Sequence, residues 1–177
     1  MKKTRTRALV LSAMCAALTA VVAPFTIFIG PVGVTLSVFA VLFTGALLPP
    51  GRAAAAMLVY LAIGMVGLPV FSGFQSGPQV LAGPTGGYLA AYPLMAFVMA
   101  AVCRRTSALL PRVAGMVLAL AVCYVPGTAW FMVVSGSSLS GALALCVLPF
   151  VVPDLVKGVC ALLLARSLER RMEKAGL

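Results

Sequence analysis

The sequence predicts an all-α membrane protein, a bundle of six transmembrane helices forming one integral membrane domain over residues 1–177. Two observations predict this fold class. Of the 177 residues, 63% are hydrophobic and only 9% are charged, which leaves too little polar surface to cover a water-soluble globule. The apolar residues also fall into six runs, and about 20 such residues in a helix cross the hydrocarbon core of a bilayer.

Pro, Gly and Arg residues separate the six runs. The predicted helices cover about 8–29, 32–48, 53–70, 86–103, 113–134 and 142–165. The second is the shortest and follows the turn residues Gly30-Pro31, so we expect it to be tilted or only partly embedded. A signal peptide at the amino end is the disfavoured alternative, because the first apolar run continues to Ile29.

The net charge of +10 comes from Lys and Arg at the ends of the apolar runs. If the amino end is cytoplasmic, twelve of the thirteen cations face the cytoplasm, in agreement with the positive-inside preference. We therefore expect a multi-pass protein of the cell membrane with both termini in the cytoplasm. A nucleic-acid surface needs its cations on a structured polar face, so we predict no nucleic-acid partner.

Several classes of catalytic site lack their necessary residues. The chain has no histidine and only three acidic residues, which excludes a Ser-His dyad, an aspartyl pair and a carboxylate-held metal. It has no phosphate-binding loop of the ATPase type, and its five cysteines lack the spacing of a disulfide or zinc site. We predict no enzyme, no cofactor and no metal, and any ATPase motor must be another protein.

Asp154 and Lys157 are the acid and base that lie within the apolar runs. Each costs about 2.5 to 3.5 kcal/mol at the centre of a membrane helix, and their spacing of three places them on one helical face. They are therefore candidate ligand contacts, and the alternative is an ion pair that only fixes helix packing. Pro149 and Pro153 predict a break or kink, with a new helical start near Pro153 that favours an anionic ligand.

Two further segments carry functional hypotheses. Residues 71–85 form a long uncharged connection, a candidate lid, and the Gly83 to Tyr88 segment (GPTGGY) is able to surround a ligand with backbone groups. A plain entry into a helix is the alternative for this segment. In the first helix, Ala13 with Ala17 and Ala16 with Ala20 form a small-residue face that suits close packing of an internal or external helix.

At residues 64–71 (GMVGLPVF), 83–88 (GPTGGY) and 154–157 (DLVK), the sequence resembles the biotin-specific S components, called BioY, of energy-coupling factor (ECF) transporters. The resemblance extends over nearly the whole chain. The segment at 30–37 (GPVGVTLS) also resembles an early family motif, but it carries Ser37 where glutamine is usual. Any role of that glutamine therefore does not transfer to this chain.

The resemblance implies a six-helix S-component fold with biotin bound near the outer face, beneath the loops after helices one and three. Asp154 and Lys157 would then contact the polar groups of biotin. Further ligand contacts expected from position are Gln79, Tyr88, Thr85, Gly86, Gly87, Phe71 and Phe74. The resemblance also implies that Ala13, Ala17 and Ala20 dock a membrane-embedded coupling subunit driven by two cytoplasmic ATPase subunits, and that the loaded subunit reorients as one body.

Two other functions stay open at this point. An S component for another vitamin would use the same Asp and Lys for a different polar group. A membrane scaffold would use Asp154 and Lys157 only as a structural pair, so that replacing both together would leave its function intact.

Overall fold

The computed structural model describes residues 2–29 and 32–174, and it arranges them as eight α-helices and one β-hairpin. Gly30 and Pro31, which the sequence predicts as turn residues, lie outside the described residues. The first half contains α1 (Lys2–Val22), β1 (Thr26–Ile29), β2 (Val32–Thr35), α2 (Ser37–Leu47) and α3 (Pro50–Met65). The second half contains α4 (Pro78–Ala82), α5 (Gly86–Arg105), α6 (Leu109–Ser135), α7 (Leu139–Cys146) and α8 (Leu148–Lys174).

The first helix ends at Val22 and does not reach residue 29 as the apolar run predicts. The residues after it form the hairpin, in which β1 pairs antiparallel with β2 and Thr26 lies opposite Thr35. A short apolar run rich in Ile, Phe, Val and Thr suits a strand as well as a helix. Because the hairpin takes these residues, α2 begins only at Ser37 and has 11 residues, about 17 Å, which is too short to cross a bilayer alone.

The last predicted helix is divided in two. Helix α7 ends at Cys146 and α8 begins at Leu148, so the break lies at Val147 and not near Pro153 as expected. Pro149 occupies the first turn of α8, where a missing N–H removes no helical hydrogen bond, and the helix continues through Pro153. Asp154 consequently lies inside α8 and not at a helix start.

Helix α2 lies at the centre of the bundle, where it packs against both α5 and α8, and α5 makes its most extensive contact with α6. Val41 and Leu42 of α2 are fully buried, as are Met95 and Met99 of α5. Large apolar side chains also cover the outside, where Val66 is 83% exposed and Val133 is 78% exposed. An apolar exterior around a packed interior is the arrangement that a bilayer stabilises.

Three helical segments are long and apolar enough to cross a membrane, namely 86–105, 109–135 and 148–172. Three shorter apolar helices, Thr6–Val22, Ser37–Leu47 and Pro50–Met65, fall below that length.

The hairpin and residues 71–85 meet at one end of the bundle. The turn from α2 to α3 and the turn from α5 to α6 lie at the opposite end.

The close approach of α2 and α5 depends on Gly45. A Cβ at this position would lie 2.7 Å from the Ala96 carbonyl oxygen and 2.7 Å from the Met99 Cβ, and neither atom is the end of a flexible side chain. Gly45→Ala is expected to lower the free energy of unfolding by about 1–3 kcal/mol, the usual effect of overpacking. Thermal unfolding in detergent measures this change.

Gly51→Ala is the matched control, because a Cβ on Gly51 would meet no atom within 4 Å. It lies in the first turn of α3, and we expect it to leave the melting temperature unchanged or slightly raised. Equal melting temperatures for the two variants would contradict the tight α2–α5 contact.

Candidate functional site

A partly open cavity lies inside the bundle beneath the hairpin and residues 71–85. All four tyrosines of the chain line it, Tyr60, Tyr88, Tyr92 and Tyr124. Its other lining residues are Ala23, Thr35, Ser37, Val38, Ser72, Val80, Thr85, Leu89, Cys123, Cys146, Phe150 and Asp154. A mostly apolar wall with a few polar groups directed inward is typical of a site for a small organic ligand.

Asp154 is the charged group that lines this cavity. It is 3% exposed, and each of its carboxylate oxygens has one partner in the structure. Tyr124 donates its hydroxyl to Oδ2 at 2.7 Å, and Lys157 donates Nζ–H to Oδ1 at 2.8 Å. A carboxylate has about four acceptor sites, so Asp154 retains the capacity to accept from a ligand.

Lys157 connects α8 to the hairpin. Its Nζ also donates to the backbone carbonyl of Thr35 at 2.9 Å, at the end of β2. An ammonium group has three donors, so the two contacts leave one donor without an acceptor among the described residues. Lys157 does not itself line the cavity, and its ammonium group lies beside the lining residues Asp154 and Thr35.

The remaining tyrosine hydroxyls are held by hydrogen bonds. Tyr92 contacts the Ser37 hydroxyl at 2.7 Å, and Ser37 in turn contacts the Thr35 hydroxyl. Tyr88 contacts the Thr128 hydroxyl at 3.0 Å, and Tyr60 donates to the Val70 carbonyl at 3.1 Å. Buried phenols need such partners, and these bonds fix the orientation of the rings that form the wall. Ser37 therefore stands on the cavity wall, at the position where the resemblance leads us to expect glutamine.

Residues 71–85 pack against the first residue of the hairpin and the two residues before it, beside the cavity. The Ser72 and Thr26 hydroxyls are 2.9 Å apart, and the rings of Phe25 and Phe74 meet edge to face with centroids 5.7 Å apart. The Gly73 N–H donates to the Pro24 carbonyl at 3.1 Å. The two segments thus form one cover.

The structure brings three of the expected ligand contacts to the cavity and places the others around it. Asp154, Tyr88 and Thr85 line it. Phe74 and Gln79 border a separate surface groove at the edge of the cover. Phe71 is fully buried, and its ring packs edge to face on Tyr60 at a centroid distance of 5.7 Å.

The two predicted glycines have a packing role in the structure. A Cβ on Gly86 would overlap the Leu81 backbone, and one on Gly87 would overlap the Trp130 Cβ. These glycines let α4 and α6 approach the start of α5. The Trp130 indole N–H then donates to the Gly83 carbonyl at 2.9 Å, which ties the segment at residues 83–88 to α6.

The small-residue face of α1 is only partly exposed. Ala13 and Ala17 are exposed, whereas Ala16 is 2% exposed and Ala20 packs partly against the core. Internal packing uses the Ala16 side of the helix. The Ala13 and Ala17 side remains open to another helix.

Sequence reasoning missed Tyr60, Tyr92 and Tyr124 as wall residues. A tyrosine within an apolar run also fits ordinary core packing, but the fact that the chain has only four, with Tyr88 and Tyr92 one turn apart, was an available signal.

Among the described residues, no group of three His, Cys, Asp or Glu side chains is close enough to hold a metal ion.

Comparisons with known proteins agree with this geometry. The model of the BioY family matches residues 1–174. A "Probable biotin transporter BioY" from Pyrococcus horikoshii is 38% identical over 159 residues, which are 90% of this chain and 94% of the relative. A "Biotin transporter BioY" from Thermotoga maritima is 35% identical over 164 residues, 93% of this chain and 96% of the relative.

The fold also matches a solved structure, the crystal structure of the S-component for biotin from an ECF-type ABC transporter. The TM-score is 0.90 at 23% identity, and the match covers 96% of this chain and 94% of the other. At that identity the likeness shows the fold, and the family follows from the whole-length sequence match. The chain belongs to the BioY family.

Proposed function

We propose that this chain captures biotin as the substrate-binding S component of an ATP-driven ECF importer. The observation that carries the proposal is the Asp154 carboxylate, buried on the wall of an aromatic cavity and held by Tyr124 and Lys157. Membership of a family whose curated relatives are named biotin transporters supports it. This is a transport function and requires no catalytic residue.

The cavity has the chemistry that biotin requires. Biotin has ureido N–H donors and a ureido carbonyl, an apolar thioether ring with a valeryl chain, and a carboxylate. Asp154 accepts from the ureido N–H groups, and the third donor of Lys157 serves the ureido carbonyl or the carboxylate. Tyr88, Tyr92 and Phe150 contact the apolar part. In this proposal Phe71 supports the cavity wall by packing on Tyr60. Phe74 and Gln79 belong to the segment that covers the cavity and do not contact biotin.

The proposed topology has six crossings with both termini in the cytoplasm. The hairpin with α2 makes the second crossing, and α8 makes the last. The cavity then opens outward, and the helix ends that carry Arg52, Arg104 and Arg105 face the cytoplasm, in agreement with the positive-inside preference. Ala13 and Ala17 dock the membrane-embedded coupling subunit, and two cytoplasmic ATPase subunits drive transport.

The ligand is tested by binding of labelled biotin to the purified chain in detergent, with thiamine and riboflavin as competitors. Asp154→Asn is expected to weaken binding about 30- to 100-fold, because it replaces a charged acceptor by a neutral amide. Glu169→Gln is the matched control, a carboxylate changed to an amide in the other ion pair of the described residues. Stronger competition by another vitamin would assign the site to that vitamin.

The functional and structural readings of the Asp154–Lys157 pair are separated by a single and a double variant. Lys157→Met leaves the buried carboxylate without its cation, and we expect it to lower stability by about 3 kcal/mol or more. Asp154→Asn combined with Lys157→Met removes both charges and is expected to recover most of that stability. On the proposed function the double variant nevertheless loses biotin binding, whereas wild-type binding by it would show that the pair has only a structural role.

The docking face is tested by Ala13→Trp combined with Ala17→Trp. Two bulky side chains prevent the close helix approach that small residues allow, so we expect biotin uptake by cells and co-purification of the coupling subunit to fall at least tenfold. Binding of biotin to the isolated chain is expected to stay within twofold of wild type. Val133→Trp, at an exposed site on α6, is the control and should change neither quantity.

A further inference from the structure

A polar recess lies at the end of the bundle opposite the cavity. This groove has a volume of about 630 Å³ and is formed by the ends of α2 and α5, the turn after α5, the start of α6 and the end of α8. Five arginines and one glutamate line it, together with a few small polar and apolar residues. The charged lining residues are Arg104, Arg105, Arg112, Arg166, Arg170 and Glu169.

One arginine is built into the wall of this basic groove. Arg112 is 6% exposed, and its guanidinium donates to Glu169 Oε2 at 3.0 Å and to the Thr106 carbonyl at 2.9 Å. It also contacts the Cys103 carbonyl at 3.4 Å. These bonds join α6, α8 and the end of α5, so a buried group with three hydrogen bonds holds the wall of the groove in place.

The other four arginines have no such partner. Arg104, Arg105, Arg166 and Arg170 make no hydrogen bond or ion pair with any described residue, and Glu169, the one acid in the groove, is already bonded to Arg112. Arg166 is half-buried, and Arg170 lies one turn further along the same face of α8. Four unpaired guanidinium groups around one recess favour a ligand with negative charge and several acceptor oxygens.

We propose that the basic groove binds the phosphate of an anionic phospholipid headgroup. Its position supports a lipid source: Tyr88 at the cavity and Arg105 at the groove lie about 25 Å apart along α5, close to the thickness of the hydrocarbon core. Leu110 and Leu168, each within two residues of a groove residue, are 81% and 36% exposed. In this proposal they contact the acyl chains of the lipid. Arginine's planar fork matches phosphate, and basic recesses between membrane helices bind such headgroups.

The test uses the full chain in neutral detergent, with phosphatidylglycerol or phosphatidylcholine of the same acyl chains added, and measures bound lipid by native mass spectrometry. Wild type is expected to prefer phosphatidylglycerol. Arg166→Gln combined with Arg170→Gln is expected to bind it about tenfold more weakly. Arg7→Gln combined with Arg52→Gln removes the same charge outside the groove and is expected to change affinity less than twofold.

Two further arms keep the proposal testable. Arg166→Lys combined with Arg170→Lys preserves charge and fold but removes the planar fork, so an intermediate affinity is expected. Inorganic phosphate and glycerol phosphate test the source, and equal binding of these soluble anions would overturn the lipid assignment. Equal weakening by the control pair would overturn the site. The Arg166 and Arg170 variant also provides a test against a protein partner. If it binds lipid as wild type does but no longer co-purifies with the coupling subunit, the lipid proposal is wrong and the groove binds a protein.

Discussion

The buried contact between Asp154 and Lys157 is the constraint on which the cavity end of the bundle depends. The two charges lie on α8, Tyr124 brings α6 to the carboxylate, and the Thr35 carbonyl brings the hairpin to the ammonium group. Each charge alone would cost about 2.5 to 3.5 kcal/mol at the centre of a membrane helix. The same bonds that offset this penalty therefore hold three parts of the chain around the cavity.

The hairpin and the cavity wall share this contact, so a ligand at Asp154 acts on both. Lys157 bonds to the carboxylate on one side and to the Thr35 carbonyl on the other, and Thr35 continues through Ser37 to Tyr92. On the proposed function, a ureido group at Asp154 joins a network that already ends on the cover. The ammonium group that bonds to the ligand-binding carboxylate then also holds the end of the hairpin.

Much of this arrangement could be predicted because polar residues are rare in the chain. Asp154 and Lys157 are conspicuous in an apolar run, and a group with that desolvation penalty needs a partner or a ligand. The hairpin could not be predicted, because a short Thr-Ile-Phe-Ile run suits a strand or a helix until tertiary contacts decide. The tyrosine wall also depends on tertiary structure, since Tyr60, Tyr92 and Tyr124 come from three different helices.

The bundle contains a mostly apolar cavity at one end and a basic groove at the other, and α2, α5 and α8 line both. Each helix contributes to the cavity near its start, or within its first two turns, and to the basic groove near its end. The interior between them is packed, with Met95 and Met99 fully buried. Close packing leaves few voids larger than a water molecule, so a solute cannot pass easily between the described helices there. On the proposed function, the subunit carries a captured ligand across the membrane by moving as a whole, which is the reorientation that the family resemblance implies.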